Sequence, residues 1–267
     1  MIDLTTLMFS VLVVTALLAI LMILSGRSHT NYPGYILWSV SLVVLASAHM
    51  LLILREVIPF AVSVIAGNCL IILGLLLMTE SLYRFYEATP LWKGYYLTLL
   101  PFGMLIAIFT LLIDNISIRV LIFSAFTITI SMVIIWMIST HTPGKDDISR
   151  LTIVFFLLFS LVLGIRAADW IIHPVGKNLF ETGSLNIGIY FFDLITIVSL
   201  TFLFLFMNYQ RYSRDLRDAH ALTAGLMEDL DQRNRDLEKV SIRLLTHNKE
   251  LDYNVQERTK KIESLLF

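Results

Sequence analysis

The stretch "TIVSLTFLFLFMNYQRYSRDLRDAH", Thr196 to His220, decides how the chain is built. Its first half is apolar enough for hydrocarbon, and after Met207 the composition turns abruptly charged. No proline interrupts the change, and only Gly225 weakens a helix downstream. One helix is therefore expected to leave a membrane and run on as a polar rod. Two parts follow: residues 1–207 as a transmembrane domain and 208–267 as a cytoplasmic coiled coil.

Working back towards the N-terminus, 57% of the residues are hydrophobic, only 15% are charged and mean hydropathy is +0.78, outside the range of soluble domains. About 20 apolar residues cross a bilayer core, and seven stretches qualify: Leu4 to Leu24, Tyr35 to Leu54, Phe60 to Leu82, Leu91 to Ile113, Ile116 to Ser139, Leu151 to Ile172 and Ile187 to Met207. Backbone groups in lipid must bond within their own segment, so all seven read as helices. The expected fold is an all-α membrane protein, a seven-helix bundle. "MIDLTTLMFS" has no basic residue ahead of its apolar run, so the first segment reads as an anchor rather than a signal peptide. Cys69 is the single cysteine and reads as a small buried residue.

Arg27, Arg84 with Lys93, and Lys145 with Arg150 lie in loops on the side where the tail begins with Arg211, Arg214 and Arg217. The other side holds Arg55, Arg119 and Lys177 near helix ends. The positive-inside rule then places the N-terminus outside and the C-terminus in the cytoplasm, with the chain a multi-pass protein of the plasma (inner) membrane. The partners this implies are membrane lipid and no nucleic acid.

The tail carries a seven-residue repeat. Leu216, Thr223, Leu230, Leu237, Leu244, Leu251, Arg258 and Leu265 fall at d, and His220, Met227, Asn234, Ser241, Asn248, Val255 and Ile262 at a. Asn at a is tolerated best where two copies bond across a parallel two-stranded seam, so the pattern predicts a parallel homodimer. Its interface would run through Leu216, Met227, Leu230, Asn234, Leu237, Leu244, Asn248 and Leu251. The polar layers weaken the seam, which suits a helix that shifts to carry a signal, the alternative being that they only specify the dimer. At 1.5 Å per residue the rod would be roughly 75 Å long. "LDYNVQERTKKIESLLF" stops in mid-heptad, and an output domain or a docking partner is expected beyond it.

"NCLIILGLLLMTESLYRFYEATP", Asn68 to Pro90, resembles the third helix of the seven-helix membrane sensor regions at the N-termini of bacterial histidine kinases and diguanylate cyclases, with its early Asn, mid-helix Gly and aromatic basic end. "RAADW" followed by Pro174 is similar to their sixth helix, and "VQERTKKIESL" to the "ERT" linkers that lead into kinase or PAS domains. The resemblance implies an input module in a two-component system, feeding a cytoplasmic output domain or partner protein, with a histidine kinase favoured over a cyclase. A phosphoacceptor box is missing from "THNKEL" around His247, and the sequence contains no glycine-rich ATP lid, GGDEF-like loop or P-loop, so no catalytic residue is assigned.

Charge inside the membrane asks for a reason. Arg166, Asp169, Trp170 and His173 sit at i, i+3, i+4 and i+7 of the sixth span, one stripe of a helix. His49 and, a heptad on, Glu56 with Arg55 beside it occupy the outer end of the second span, with Asn68 in the third and Asp193 in the seventh. These nine residues are expected to line an outer-half pocket for a small amphiphilic or anionic ligand. The arginines would hold a carboxylate or phosphate bidentately, and Trp170 would pack on an apolar body. The bland alternative is that Arg166 pairs with Asp169 or Asp193 and ties two helices together. No resident cofactor is expected, although b-type haem could use His49 or His173 as an axial ligand, and either histidine could sense pH. A retinal Schiff base needs a lysine within a span, and Lys93, Lys145 and Lys177 lie at the edges. A transporter needs polar groups through the full depth. A membrane hydrolase needs a motif such as H-E-x-x-H or G-x-S-x-G, which the chain lacks. A standalone scaffold recruiting a partner through its coiled coil is the remaining alternative to a sensor.

Overall fold

The computed structural model describes residues 4–28, 32–88, 93–141, 147–172 and 184–266. It is 94% helical, and among those residues seven helices are long and apolar enough to cross a membrane. They are α1 (Leu4–Ser28), α2 (Tyr35–Ile53), α3 (Phe60–Phe85), α4 (Leu99–Leu111), α5 (Ile116–His141), α6 (Asp147–Ile172) and α7 (Ser184–Leu266). The protein is thus read as a multi-pass membrane protein. The chain divides into two units, Met1–Asn208 and Tyr209–Phe267.

In the first unit, α2 and α3 pack through small residues, as membrane helices do when no hydrophobic drive holds them together. A Cβ on Gly67 would lie 2.8 Å from Leu52 Cδ2, and one on Gly74 would lie 2.7 Å from Leu45 Cδ2. Both glycines are therefore needed for the approach. The turn between the helices is fixed by Pro59 before α3 and by the Ser63 hydroxyl, which donates to the Leu51 carbonyl at 2.6 Å. At the other end of the pair Gly34 opens α2 at φ +97°, and the Ser81 hydroxyl donates to its carbonyl at 2.8 Å.

The fourth span departs from a regular helix. Its α-helix begins at Leu99 after a 3₁₀ segment, Lys93–Thr98, instead of near Leu91. Pro101 explains this, because it lacks an N–H and its ring clashes with the carbonyl four residues back. Proline is accommodated in the first turn of α4, and the chain before it winds more tightly.

Aromatic rings hold the part of α7 between Leu200 and Asn208 against α2 and α3. Phe204, fully buried, stacks on Trp38 with centroids 4.3 Å apart and planes 5° from parallel, and it meets Phe85 edge-on at 5.7 Å. Trp38 Nε1 donates to Thr201 Oγ1 at 3.5 Å, and the Tyr86 hydroxyl lies 2.7 Å from Ser149 Oγ and 3.3 Å from Met207 Sδ. In the second unit the side chains are exposed, with Leu230 at 60% and Leu237 at 66%. Ion pairs within the helix, Asp229 with Arg233 and Asp231 with Arg235, join successive turns.

Candidate functional site

A cavity of about 160 Å³ lies inside the first unit, at the end of the bundle where α2 gives way to α3. Its polar wall is assembled from the C-terminal turns of α2 and α6 and the N-terminal turns of α3, α5 and α7. Antiparallel neighbours bring exactly those turns to one depth. Towards the middle of the bundle the wall becomes apolar, with Leu45, Leu75, Met78, Phe156 and Leu200.

Each polar side chain is placed by its own helix. Asn115 caps α5, its Oδ1 accepting from the Ile118 N–H at 3.1 Å, and Asp114 before it holds φ +44° to make the turn. That turn sets the rotation of α5 and points Arg119 inward, where it is 7% exposed. Arg119 Nη2 reaches Asp114 Oδ1 at 3.5 Å, and its guanidinium lies 5.7 Å over the Phe60 ring. Its Nη1 is buried with no hydrogen-bond partner among the described residues. Arg166, 8% exposed, lies 5.9 Å over the Tyr190 ring of α7, and its Nε is buried in the same condition. No described carboxylate is within ion-pair distance of Arg166.

His49 is held from two sides. Its Nδ1 hydrogen-bonds the Leu45 carbonyl at 2.7 Å, and because a carbonyl only accepts, Nδ1 carries the proton. Its Nε2 faces Asp193 Oδ2 across 3.7 Å. Asp193 therefore sits with histidine rather than with Arg166, and Arg166 meets α7 through the Tyr190 ring alone among the described contacts. Asn68 donates to the Val64 carbonyl of its own helix at 2.7 Å. Thr127 differs from Thr152 and Thr196, whose hydroxyls donate one turn back along the helix. Its hydroxyl is fully buried, lines the cavity and has no described partner.

Electrostatically the wall carries three guanidiniums, Arg55, Arg119 and Arg166, against the single carboxylate of Asp193. Leaving a buried donor unsatisfied costs about 1–3 kcal/mol, and more on a charged group. The lining is thus positive, largely apolar and short of acceptors.

Of the residues singled out in the sequence, the structure brings His49, Arg55, Asn68, Arg166 and Asp193 together around the cavity. The sixth-helix stripe divides. Trp170 packs on Ile116 and Val120 of α5, and Asp169 is half-buried outside the lining. Glu56 is exposed, because α2 ends at Ile53 and a 3₁₀ turn, Leu54–Glu56, breaks the heptad that would have set it below His49. His173 lies outside the described residues, as do Lys145 and Lys177.

Sequence reasoning missed Arg119, Thr127 and Tyr190. Arg119, Phe123 and Thr127 recur every four residues, a face that could have been read as an inward stripe. It also missed a second polar cluster. Glu80 of α3 accepts from Arg84 and from the hydroxyl of Tyr96, while the Tyr95 hydroxyl lies 2.8 Å from the Leu76 carbonyl and 3.3 Å from Glu80 Oε2. Among the described residues no three His, Cys, Asp or Glu side chains are grouped to hold a metal ion. No protein-family model, curated protein or solved structure matches this chain.

Proposed function

We propose that the protein is a transmembrane sensory receptor module that binds a small amphiphilic or anionic ligand and signals through a dimeric coiled coil. One observation carries this reading: the helix that lines the cavity with Ile189, Tyr190 and Asp193 is the same unbroken helix that continues to Leu266. A ligand that contacts Arg166 and Asp193 differently in two arrangements of α7 shifts the balance between them, which is all that signalling requires. The basic residues of the loops that the sequence puts on the same side of the membrane as the tail support an outer position for the cavity and a cytoplasmic C-terminus. The exposed leucines at d support a parallel homodimer, since an isolated helix cannot cover them.

In this reading the displacement passes to a cytoplasmic output domain or partner, with a histidine kinase ahead of a diguanylate cyclase on the resemblance of the "ERT" run. A scaffold that only recruits a partner would use the same leucine seam, but it gives no account of the buried Arg119 Nη1 and Arg166 Nε without a described partner. Native mass spectrometry of the purified chain, gently released from detergent, tests the proposal. The expected result is a dimer carrying a small co-purified molecule that Arg166→Ala loses. A monomer, or a dimer whose variant is less stable yet carries the same added mass, overturns it.

A further inference from the structure

The cavity restricts its occupant more closely than "a small ligand". We propose that it takes a compact monoanionic amphiphile, whose oxyanion head is gripped between Arg119 and Arg166 and whose apolar body lies along Leu75, Met78, Phe156 and Leu200. This rests on the reading of the cavity as the ligand site and deepens it.

Three observations fix the class. The first is a pair of donors without a partner among the described residues, Arg119 Nη1 and Arg166 Nε, on side chains more than nine-tenths buried that both belong to the cavity lining. A guanidinium presents its N–H groups as a planar fork that suits an oxyanion, and a charge-assisted bond to it is about twice as strong as a neutral one. A neutral acceptor would take the hydrogen bond without offsetting the charge, and a cation would add to the repulsion. The second is charge. Asp114 and Asp193 offset two of the three guanidiniums and His49 is neutral in its Nδ1–H form, so the surplus is near one positive charge and suits one negative charge better than several.

The third is size and direction. Arg119 and Arg166 stand near the ends of α5 and α6, and the apolar residues come from positions further in. Phe156 is ten residues from Arg166 and therefore roughly 15 Å deeper along α6. A dry apolar cavity of about 150 Å³ holds a benzene-sized body, so 160 Å³ suits a head with a short chain or a single ring. A full-length lipid chain exceeds it. Octanoate, a monoanion with a short unbranched chain, is the probe.

The test titrates octanoate, octanol and octylammonium into the full chain in nanodiscs of zwitterionic lipid, read by calorimetry. Octanoate is expected to bind at least tenfold tighter than octanol, with no binding of octylammonium. Arg119→Gln and Arg166→Gln should each weaken octanoate tenfold or more, and Leu200→Trp, which fills the deep end and leaves both arginines in place, should abolish binding. Circular dichroism of each variant separates lost binding from lost folding. If one arginine variant fails to fold, Leu200→Trp and the ligand series decide. Octanol binding as tightly as octanoate overturns the assignment, as does Leu200→Trp retaining full affinity. The two proposals fail separately: a neutral co-purified molecule lost in Arg166→Ala would sink this one and leave the sensory reading, whereas octanoate bound to a monomeric chain would do the reverse.

Discussion

The two ends of the helical bundle treat buried polar atoms in opposite ways. Where α1 meets α2, the Tyr35 hydroxyl donates to the Met22 carbonyl at 3.1 Å, Ser81 to Gly34, and Tyr86 lies between Ser149 and Met207, all packed around the rings of Trp38, Phe85 and Phe204. Asn208 Oδ1 is the exception there. Where α2 meets α3, Arg119, Thr127 and Arg166 each leave a buried atom without a described partner around an open cavity. The two ends therefore differ in how their buried polar atoms are paired: the first bonds its hydroxyls around stacked rings, and the second leaves guanidinium and hydroxyl groups without a described partner.

The comparison breaks most visibly at the packed end. Trp38→Ala removes a fully buried indole from its stack on Phe204 and should cost about 4 kcal/mol, read as a fall in Tm of roughly 10 °C in detergent. A fall of a degree or two would mean that the rings are incidental and that the contrast between the ends is false. Gly34→Ala comes next. Its φ of +97° lies where side chains are strained, and the new Cβ would collide with the Ser81 backbone. Strain of this kind costs about 1–3 kcal/mol, and a thermal melt of the variant beside Gly164→Ala, whose Cβ would meet nothing within 4 Å, isolates it.

This division was only partly legible in the sequence. Seven apolar runs near bilayer length gave the seven helices, because length and hydropathy alone carry that signal. Which face of each helix turns inward was much less readable. A soluble helix announces its buried side by amphipathicity, but spans that are apolar all round do not. Arg119, three residues into α5, therefore read as a residue marking the membrane edge, and only the turn at Asp114 reveals that it points inward. Glu56 was assigned by counting a heptad from His49 across a point where the α-helix has already ended. Trp170 shares its stripe with Arg166, yet it serves the contact between α5 and α6. Polar residue types at one depth gave the neighbourhood of the site, and local backbone geometry chose its members.

The cavity end should answer mutation in the opposite sense. Arg166→Met nearly keeps the volume and deletes a buried charge that faces no described carboxylate, so the ligand-free protein should gain about 1 kcal/mol. The Tm rises by roughly 3 °C while ligand binding is lost. If Arg166 were instead a structural tie, its removal would cost about 3–5 kcal/mol. The sign of the change thus separates the two accounts without any knowledge of the ligand.

Thr127→Val is the smallest and sharpest of these tests. Valine matches threonine in shape, so no cavity opens, and the substitution removes only a hydroxyl that has no described partner. Replacing such a group by an apolar one of the same shape is neutral to mildly stabilising, by about 0.5 kcal/mol in the ligand-free protein. The same change at Thr152, whose hydroxyl donates to the Ile148 carbonyl at 2.9 Å, should cost a similar amount. Thermal melts of the two variants side by side compare one hydroxyl with and without a partner in neighbouring helices. Equal destabilisation would show that the Thr127 hydroxyl is bonded in the native state, and the contrast between the two ends would then rest on the arginines alone.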